Sequence, residues 1–167
     1  IKNFNPKIIK TELNFLKKAG ANIKLFKNKI HIKGPQKIKS IKNITTKEYE
    51  GFPTDLAPQF MVLLCKANGT SSITENIFQG RFLHVMELQR LGAKITIKNK
   101  TAIIKGNTNF TGAEVMSSDL RASAALVLAG IVSKGKTIIS RVYHCDRGYE
   151  NFESKLKKIG VSIKRIK

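Results

Sequence analysis

Apolar and polar positions along this chain follow two periods, and the switch between them recurs. Lys18-Ala19-Gly20-Ala21-Asn22-Ile23-Lys24, Arg90-Leu91-Gly92-Ala93-Lys94-Ile95-Thr96 and Lys158-Ile159-Gly160-Val161-Ser162-Ile163-Lys164 each close a helical stretch on a glycine and then alternate. Glycine suits the left-handed position that ends many helices, and a period of two marks a strand with one buried face. The pattern predicts a helix end, a glycine and a strand in all three places. The glycines stand 72 and 68 residues apart, too far for a solenoid repeat but suited to a supersecondary unit copied within one domain.

A second recurrence lies between the first. Thr54-Asp55-Leu56-Ala57 opens an apolar segment ending near Gly69, and Ser118-Asp119-Leu120-Arg121 opens another ending near Gly135. Each leads into a strand-like run, Thr70 to Glu75 and Lys136 to Arg141. Both aspartates stand where a helix N-cap belongs, with a side-chain oxygen for free backbone N–H groups. The predicted unit is helix, strand, helix, strand, strand, in an internally repeated α/β protein.

The two central helices are apolar nearly all round. From Leu120 to Val132 the only charge is Arg121, and such a helix has to be buried. In the strands, Ile95 and Ile97 alternate with Lys94, Thr96 and Lys98, so each sheet keeps one wet face. The expectation is an inside-out arrangement, with buried helices and outer sheets. Asp119 to Val132 should be nearly wholly buried, with Ala93–Lys98 and Thr101–Gly106 as an outer hairpin. If the helices lie roughly parallel, their N-termini gather at one end and favour anions there. Asp55, Asp119 and the turn Asp146-Arg147-Gly148-Tyr149 then meet at that end.

At 167 residues the chain suits one domain with a single core. It has no run of about 18 apolar residues and no basic-then-apolar start, so it reads as cytoplasmic, without a membrane span. Position 1 is Ile, so the sequence is expected to begin inside a longer one or after processing. Two cysteines make no disulfide framework, and His31, His84 and His144 make no metal cluster. Cys65 reads as a small buried hydrophobe; Cys145 reads as packing too, although Arg147 nearby could lower its thiol pKa.

A formal charge of +20 suggests nucleic acid or an anionic surface. The basic residues are mostly Lys, with six Arg, and they alternate with Ile and Asn along strands instead of forming a block. Solvated faces account for most of the excess, and an AT-rich coding sequence would produce the same Ile/Lys/Asn bias. A basic nucleic-acid-binding module is the competing class; it lacks aromatic stacking motifs and a base-reading element.

Four motifs then point to a family. Gly51-Phe52-Pro53-Thr54-Asp55, Thr74-Glu75-Asn76-Ile77-Phe78 with Arg81-Phe82-Leu83-His84-Val85, Ser118-Asp119-Leu120-Arg121-Ala122-Ser123-Ala124, and Tyr143-His144-Cys145-Asp146-Arg147-Gly148-Tyr149-Glu150 stand in order between about Thr11 and Lys167. Together they resemble the enolpyruvyl transferases, in particular those that act on UDP-N-acetylglucosamine in the first committed step of peptidoglycan synthesis. The resemblance implies two inside-out α/β domains of three repeats each, with the site in the cleft between them. It implies transfer of the enolpyruvyl group of phosphoenolpyruvate to the sugar 3′-hydroxyl, with release of phosphate and without a metal or organic cofactor.

By the same resemblance, Asp55 is the general base that meets the 3′-hydroxyl, and the backbone at Ile77 touches the nucleotide sugar. Arg81, Arg121 and Arg147 hold phosphoenolpyruvate, where guanidinium forks suit carboxylate and phosphate oxygens. Asp119 is a neighbour of the site or simply a cap. The resemblance covers residues 1–167 as most of a C-terminal domain, and the family's N-terminal domain, with its loop cysteine, is not in this sequence. That missing domain is the implied partner; no membrane and no specific nucleic acid is implied. The related transferase acting on shikimate 3-phosphate is the alternative on the same fold.

Overall fold

The computed structural model describes residues 1–166. A 3₁₀ turn at Pro6–Ile9, capped by Asn5 Oδ1 accepting from Lys7 N at 3.0 Å, runs into helix α1 (Lys10–Lys18). A hairpin of β1 (Asn22–Phe26) and β2 (Lys29–Lys33) follows, then the short strand β3 (Ile44–Thr45). Next come α2 (Ala57–Cys65), β4 (Thr70–Thr74), α3 (His84–Arg90), β5 (Lys94–Lys98) and β6 (Thr101–Lys105). The remainder is β7 (Glu114–Met116), α4 (Leu120–Ile131), β8 (Ile138–Ser140), α5 (Tyr143–Asp146) and α6 (Phe152–Lys158).

The predicted unit is complete once, as α2-β4-α3-β5-β6. Around it, α1-β1-β2 matches the second half of the unit, and α4-β8-α6 matches its beginning. Ahead of each central helix stands a short strand, β3 or β7, with too few residues to show alternation. It forms only because the strand after the helix returns beside it: Ile44 and Thr45 pair with Ile73 and Thr74, and Val115 and Met116 with Ile139 and Ser140, all in parallel. The copies correspond down to single bonds, since Thr46 N donates to Thr74 O at 2.9 Å and Ser117 N to Ser140 O at 3.1 Å.

The third predicted strand does not form. Gly160 is left-handed like Gly20 and Gly92 (φ 93°, against 104° and 98°), but residues 161–166 join no sheet. A strand is held by backbone bonds to a neighbour, and no described residue supplies one.

The four-stranded sheet has the order β3-β4-β6-β5, with β6 antiparallel to both neighbours. Ile73, Ala102, Ile104 and Ile95 turn inward from it and meet Met61, Leu64 and Cys65 of α2 in one core. Phe15, Phe52 and Phe60 close that core from the first repeat, edge to face, with Phe52 centred 5.0 Å from Phe15 and 4.9 Å from Phe60. Such contacts contribute about 1 kcal/mol each beyond the area they bury. Helix α4 packs on α2, with Ala125, Leu126 and Ala129 in the shared core, and the two small alanines let the helices approach. Helices α2 and α4 lie inside and the sheets outside, and β5–β6 is an outer hairpin. One part of the expectation fails: Asp119 is exposed, and at the far end Ile131 and Val132 are 40 % and 43 % exposed. At Gly106 the chain comes so close to Ala67 that a Cβ would lie 1.9 Å from its carbonyl oxygen. Among the described residues no helix is long and apolar enough to cross a membrane.

Candidate functional site

The starts of α2 and α4 meet, and they are built differently. Asp119 is extended (φ −162°) and caps α4, its Oδ1 accepting from Arg121 N at 2.9 Å and Ala122 N at 3.0 Å. Asp55 is not a cap. A 3₁₀ turn at Thr54–Leu56 intervenes, α2 is entered through Leu56 with no side-chain cap, and Pro58 in the first turn removes one free N–H. That turn leaves the Asp55 carboxylate free to face its neighbours.

Those neighbours are two guanidinium groups. Arg81 Nη2 donates to Asp55 Oδ1 at 3.0 Å, and Arg121 Nη2 donates to Oδ2. Arg81 comes from the segment before α3 and Arg121 from the first turn of α4, so the clamp joins two repeats. Burial pushes the Asp55 pKa up, but the hydrogen bonds and charges of Arg121 and Arg81 outweigh it and hold the carboxyl below its ordinary value. Arg81 also lies over the Phe78 ring, 4.6 Å from its centre.

Behind the clamp stands a buried carboxylate that the family motif contains but to which sequence reasoning gave no role. Glu75 is 3 % exposed. Its Oε2 accepts from Thr54 Oγ1 at 2.6 Å; its Oε1 accepts from Thr46 Oγ1 at 2.8 Å, Ile77 N at 2.7 Å and Phe78 N at 3.1 Å. Thr54 Oγ1 in turn accepts from Arg81 Nη1 at 2.8 Å. Desolvation raises the Glu75 pKa, yet the bonds from Thr54, Ile77, Phe78 and Thr46 pull it below its ordinary value. The signal was present: Ser71, Ile73 and Glu75 are the inward series of an alternating strand, and a carboxylate on that face needs partners.

A cavity of about 370 Å³ opens over the clamp, bordered by Asp55, Arg81, Arg121, Ile77, Phe78 and Tyr49. Among the predicted residues, Asp55, Ile77, Arg81 and Arg121 therefore stand together, with Asp119 setting the start of the helix that carries Arg121. Arg147 does not border the cavity. It is exposed after α5, between Cys145 and the Tyr149 phenol, which lies 3.4 Å from Gln59 Nε2 on α2. The neighbouring Asp146 is held by Arg165 Nη1 and Nη2 at 2.9 and 2.6 Å.

The thiols are poor nucleophiles. Burial pushes Cys65 up to about 12, and burial together with Asp146 raises Cys145, so Arg147 does not lower it. His84 is buried against Met61 Sδ at 3.2 Å, and burial lowers its pKa to about 4. Among the described residues no three His, Cys, Asp or Glu side chains are grouped for a metal.

Known proteins share this construction. The UDP-N-acetylglucosamine 1-carboxyvinyltransferase of Pelagibacter ubique is 58% identical over 166 residues, covering 99% of this chain and 40% of the relative. The protein of that name from Desulfosudis oleivorans is 52% identical over 166 residues, with the same coverage of 99% and 40%. The chain thus spans about 40% of the length of these relatives. Among solved structures, the enolpyruvyl transferase NikO of Streptomyces tendae matches with a TM-score of 0.86 at 24% identity, over 93% of this chain and 36% of that one. EPSP synthase of Acinetobacter baumannii matches at 0.70 and 16% identity, over 93% of this chain and 36% of that one. These two likenesses show the inside-out fold alone. With the EPSP synthase (3-phosphoshikimate 1-carboxyvinyltransferase) family profile matching residues 1–156, the chain belongs to that family.

Proposed function

We propose that the chain is most of the C-terminal domain of a two-domain enolpyruvyl transferase and supplies one wall of its active site. The substrates are phosphoenolpyruvate and UDP-N-acetylglucosamine, and the product feeds peptidoglycan synthesis in the cytoplasm. The observation that carries this reading is the Asp55 carboxylate held between Arg81 and Arg121 at the floor of the cavity. The names of the relatives at 58% and 52% identity support the sugar nucleotide over shikimate 3-phosphate.

The clamp defines the chemistry. Pinned by two guanidinium groups, Asp55 is ionised but weakly basic. Phosphoenolpyruvate brings a carboxylate and a phosphate, which guanidinium forks bind in pairs. When the anion takes Arg121 and Arg81, the carboxylate is released towards the 3′-hydroxyl and its pKa climbs. Asp55 then accepts the hydroxyl proton as the sugar oxygen bonds to the central carbon of phosphoenolpyruvate. As that bond forms, the carbon–carbon double bond takes up a proton at its methylene end; a proton is then lost from the resulting methyl group, which restores the double bond as the carbon's bond to the phosphate oxygen breaks, and in the net reaction the hydroxyl proton leaves with phosphate. Arg147, outside the cavity here, would join the anion from the α5 side. Ile77, its N–H fixed by Glu75, would present backbone to the nucleotide sugar.

The opposite wall comes from the second domain. Tyr49 and Phe78, exposed at 80 % and 54 %, border the cavity, and Leu83 and Met86, exposed at 69 % and 68 %, follow Arg81 in the chain; these are apolar side chains that a second domain would cover. The test combines this chain with the part of the Pelagibacter ubique relative that it does not span and follows phosphate release. Turnover is expected with UDP-N-acetylglucosamine and phosphoenolpyruvate, and none from this chain alone. Turnover with shikimate 3-phosphate in place of the sugar nucleotide would establish the alternative instead.

A further inference from the structure

The repeats let one part of the molecule be compared with another. Thr54-Asp55-Leu56 before α2 corresponds to Ser118-Asp119-Leu120 at the start of α4. Thr74 corresponds to Ser140, because its carbonyl accepts from Thr46 N as that of Ser140 accepts from Ser117 N. The residue after that acceptor is the buried Glu75 in one copy and the exposed Arg141 in the other. In the last copy Ser118 Oγ turns to its neighbour, donating to Asp119 Oδ2 at 2.9 Å. The repeat therefore pairs its strands without a carboxylate at this place, and the Glu75 hub is particular to the copy that carries Asp55 and Arg81.

Two hydroxyl groups deliver their protons to that hub. With its pKa held below the ordinary value, Glu75 is ionised at neutral pH and can only accept. The single proton of Thr54 Oγ1 is thereby committed to Glu75 Oε2, and the hydroxyl offers its lone pairs to Arg81 Nη1, which can only donate. Thr46 works in the same way but ends in the backbone, its hydroxyl donating to Glu75 Oε1 and accepting from Asn76 N at 2.8 Å. Glu75 Oε1 also accepts from Phe78 N, and the Phe78 ring lies against the Arg81 guanidinium. Arg81 thus has two supports that trace back to Glu75, one at Nη1 and one at its face. Its third is the Asp55 carboxylate on Nη2.

We propose that Thr54, fixed by Glu75, is a positioning residue that keeps Arg81 in place while Nη2 exchanges Asp55 for an anionic oxygen of phosphoenolpyruvate. Arg81 then changes partner without changing position, and the ordering of a long side chain is complete before the anion arrives. Thr46 sends its proton to the same carboxylate without touching Arg81, so it has no such role. The identity of the anion rests on the substrates proposed above; the hold of Thr54 on Arg81 does not.

In this chain alone, without substrates, NMR can follow the guanidinium protons of Arg81, assigned by their loss in Arg81→Lys. Asp55→Ala removes the partner that the anion would replace. In that variant an Arg81 guanidinium proton is expected to exchange with water at least about tenfold more slowly than those of the exposed Arg90. Adding Thr54→Val to Asp55→Ala should abolish the difference, whereas adding Thr54→Ser, or Thr46→Val in its place, should keep it. In the two-part enzyme, Thr54→Val should raise the KM for phosphoenolpyruvate about tenfold and that for UDP-N-acetylglucosamine much less, with Thr54→Ser restoring it. Loss of the slow exchange in Asp55→Ala alone, its survival without the Thr54 hydroxyl, its loss with the Thr46 hydroxyl, or equal changes in both KM values would overturn the role of Thr54. A two-part enzyme without turnover refutes the substrates instead, and the exchange of Arg81 still decides the positioning.

Discussion

Replacing Glu75 by Gln removes one charge from a buried hub while keeping its shape. In the native protein Oε1 accepts three hydrogen bonds and Oε2 one. A glutamine carbonyl can still accept three, but these become neutral bonds of roughly half the strength of charge-assisted ones. The amide nitrogen cannot accept from the Thr54 hydroxyl, which loses its acceptor at about 1 kcal/mol or more. Relief from burying a charge offsets part of this. Because the Glu75 pKa lies below its ordinary value, the bonds outweigh burial and the net change is destabilising. We expect a loss of about 2 kcal/mol at pH 7, or about 1 M in the urea midpoint for a slope near 2 kcal/mol/M. The pH sign follows from the depressed folded pKa: the contribution is full above the unfolded value near 4.5 and is lost as pH falls through the folded value. The gap between native and Glu75→Gln midpoints should therefore narrow on acidification below about pH 4. Unfolding followed by circular dichroism in urea reads both. An unchanged midpoint at pH 7, or a gap that widens in acid, would refute the hub.

Asp119→Ala removes two bonds to the start of α4 and should cost about 1 kcal/mol in the same assay, with Asp119→Ser recovering most of it; equal stability of the Ala and Ser variants would contradict the cap. Gly106→Ala places a methyl group 1.9 Å from Ala67 O and should destabilise by about 2 kcal/mol or more, read as a fall in Tm; an unshifted Tm would mean that β6 can move away from α2 without loss. Cys65, with its pKa pushed up to about 12, should resist an aromatic disulfide reagent at pH 8 until the chain unfolds, and rapid labelling in buffer would show the core to be open. In the two-part enzyme, Asp55→Asn should lower kcat at least about 10²-fold and substrate affinity much less, and near-normal kcat would remove Asp55 from the mechanism.

The sequence carried the parts of this fold that local chemistry determines. Three glycines at matching helix ends, the uncharged run after Arg121 and the cap at Asp119 each depend on residues within a turn or two of one another. β3 and β7 depend on a partner about 25 to 30 residues away, and two or three residues hold too little pattern to announce them. Residues 162–166 have the alternation of β5 without the neighbour that makes alternation into a strand. In the site, residue types were legible but their engagement was not: nothing local says that the arginines read as anion holders grip Asp55 in the free protein. Glu75 was legible only in hindsight, from its place in the inward series of β4.

The clamp also makes the site a proton-coupled one. Two guanidinium groups on one carboxylate leave a net positive charge and an aspartate poised to gain basicity when they are drawn away. Any anion that captures them raises the affinity of Asp55 for a proton, and by reciprocity a protonated Asp55 raises the affinity of the site for the anion. Binding heats measured in buffers of different ionisation enthalpy would then diverge, with net proton uptake that grows as pH falls towards the pKa of the liganded state.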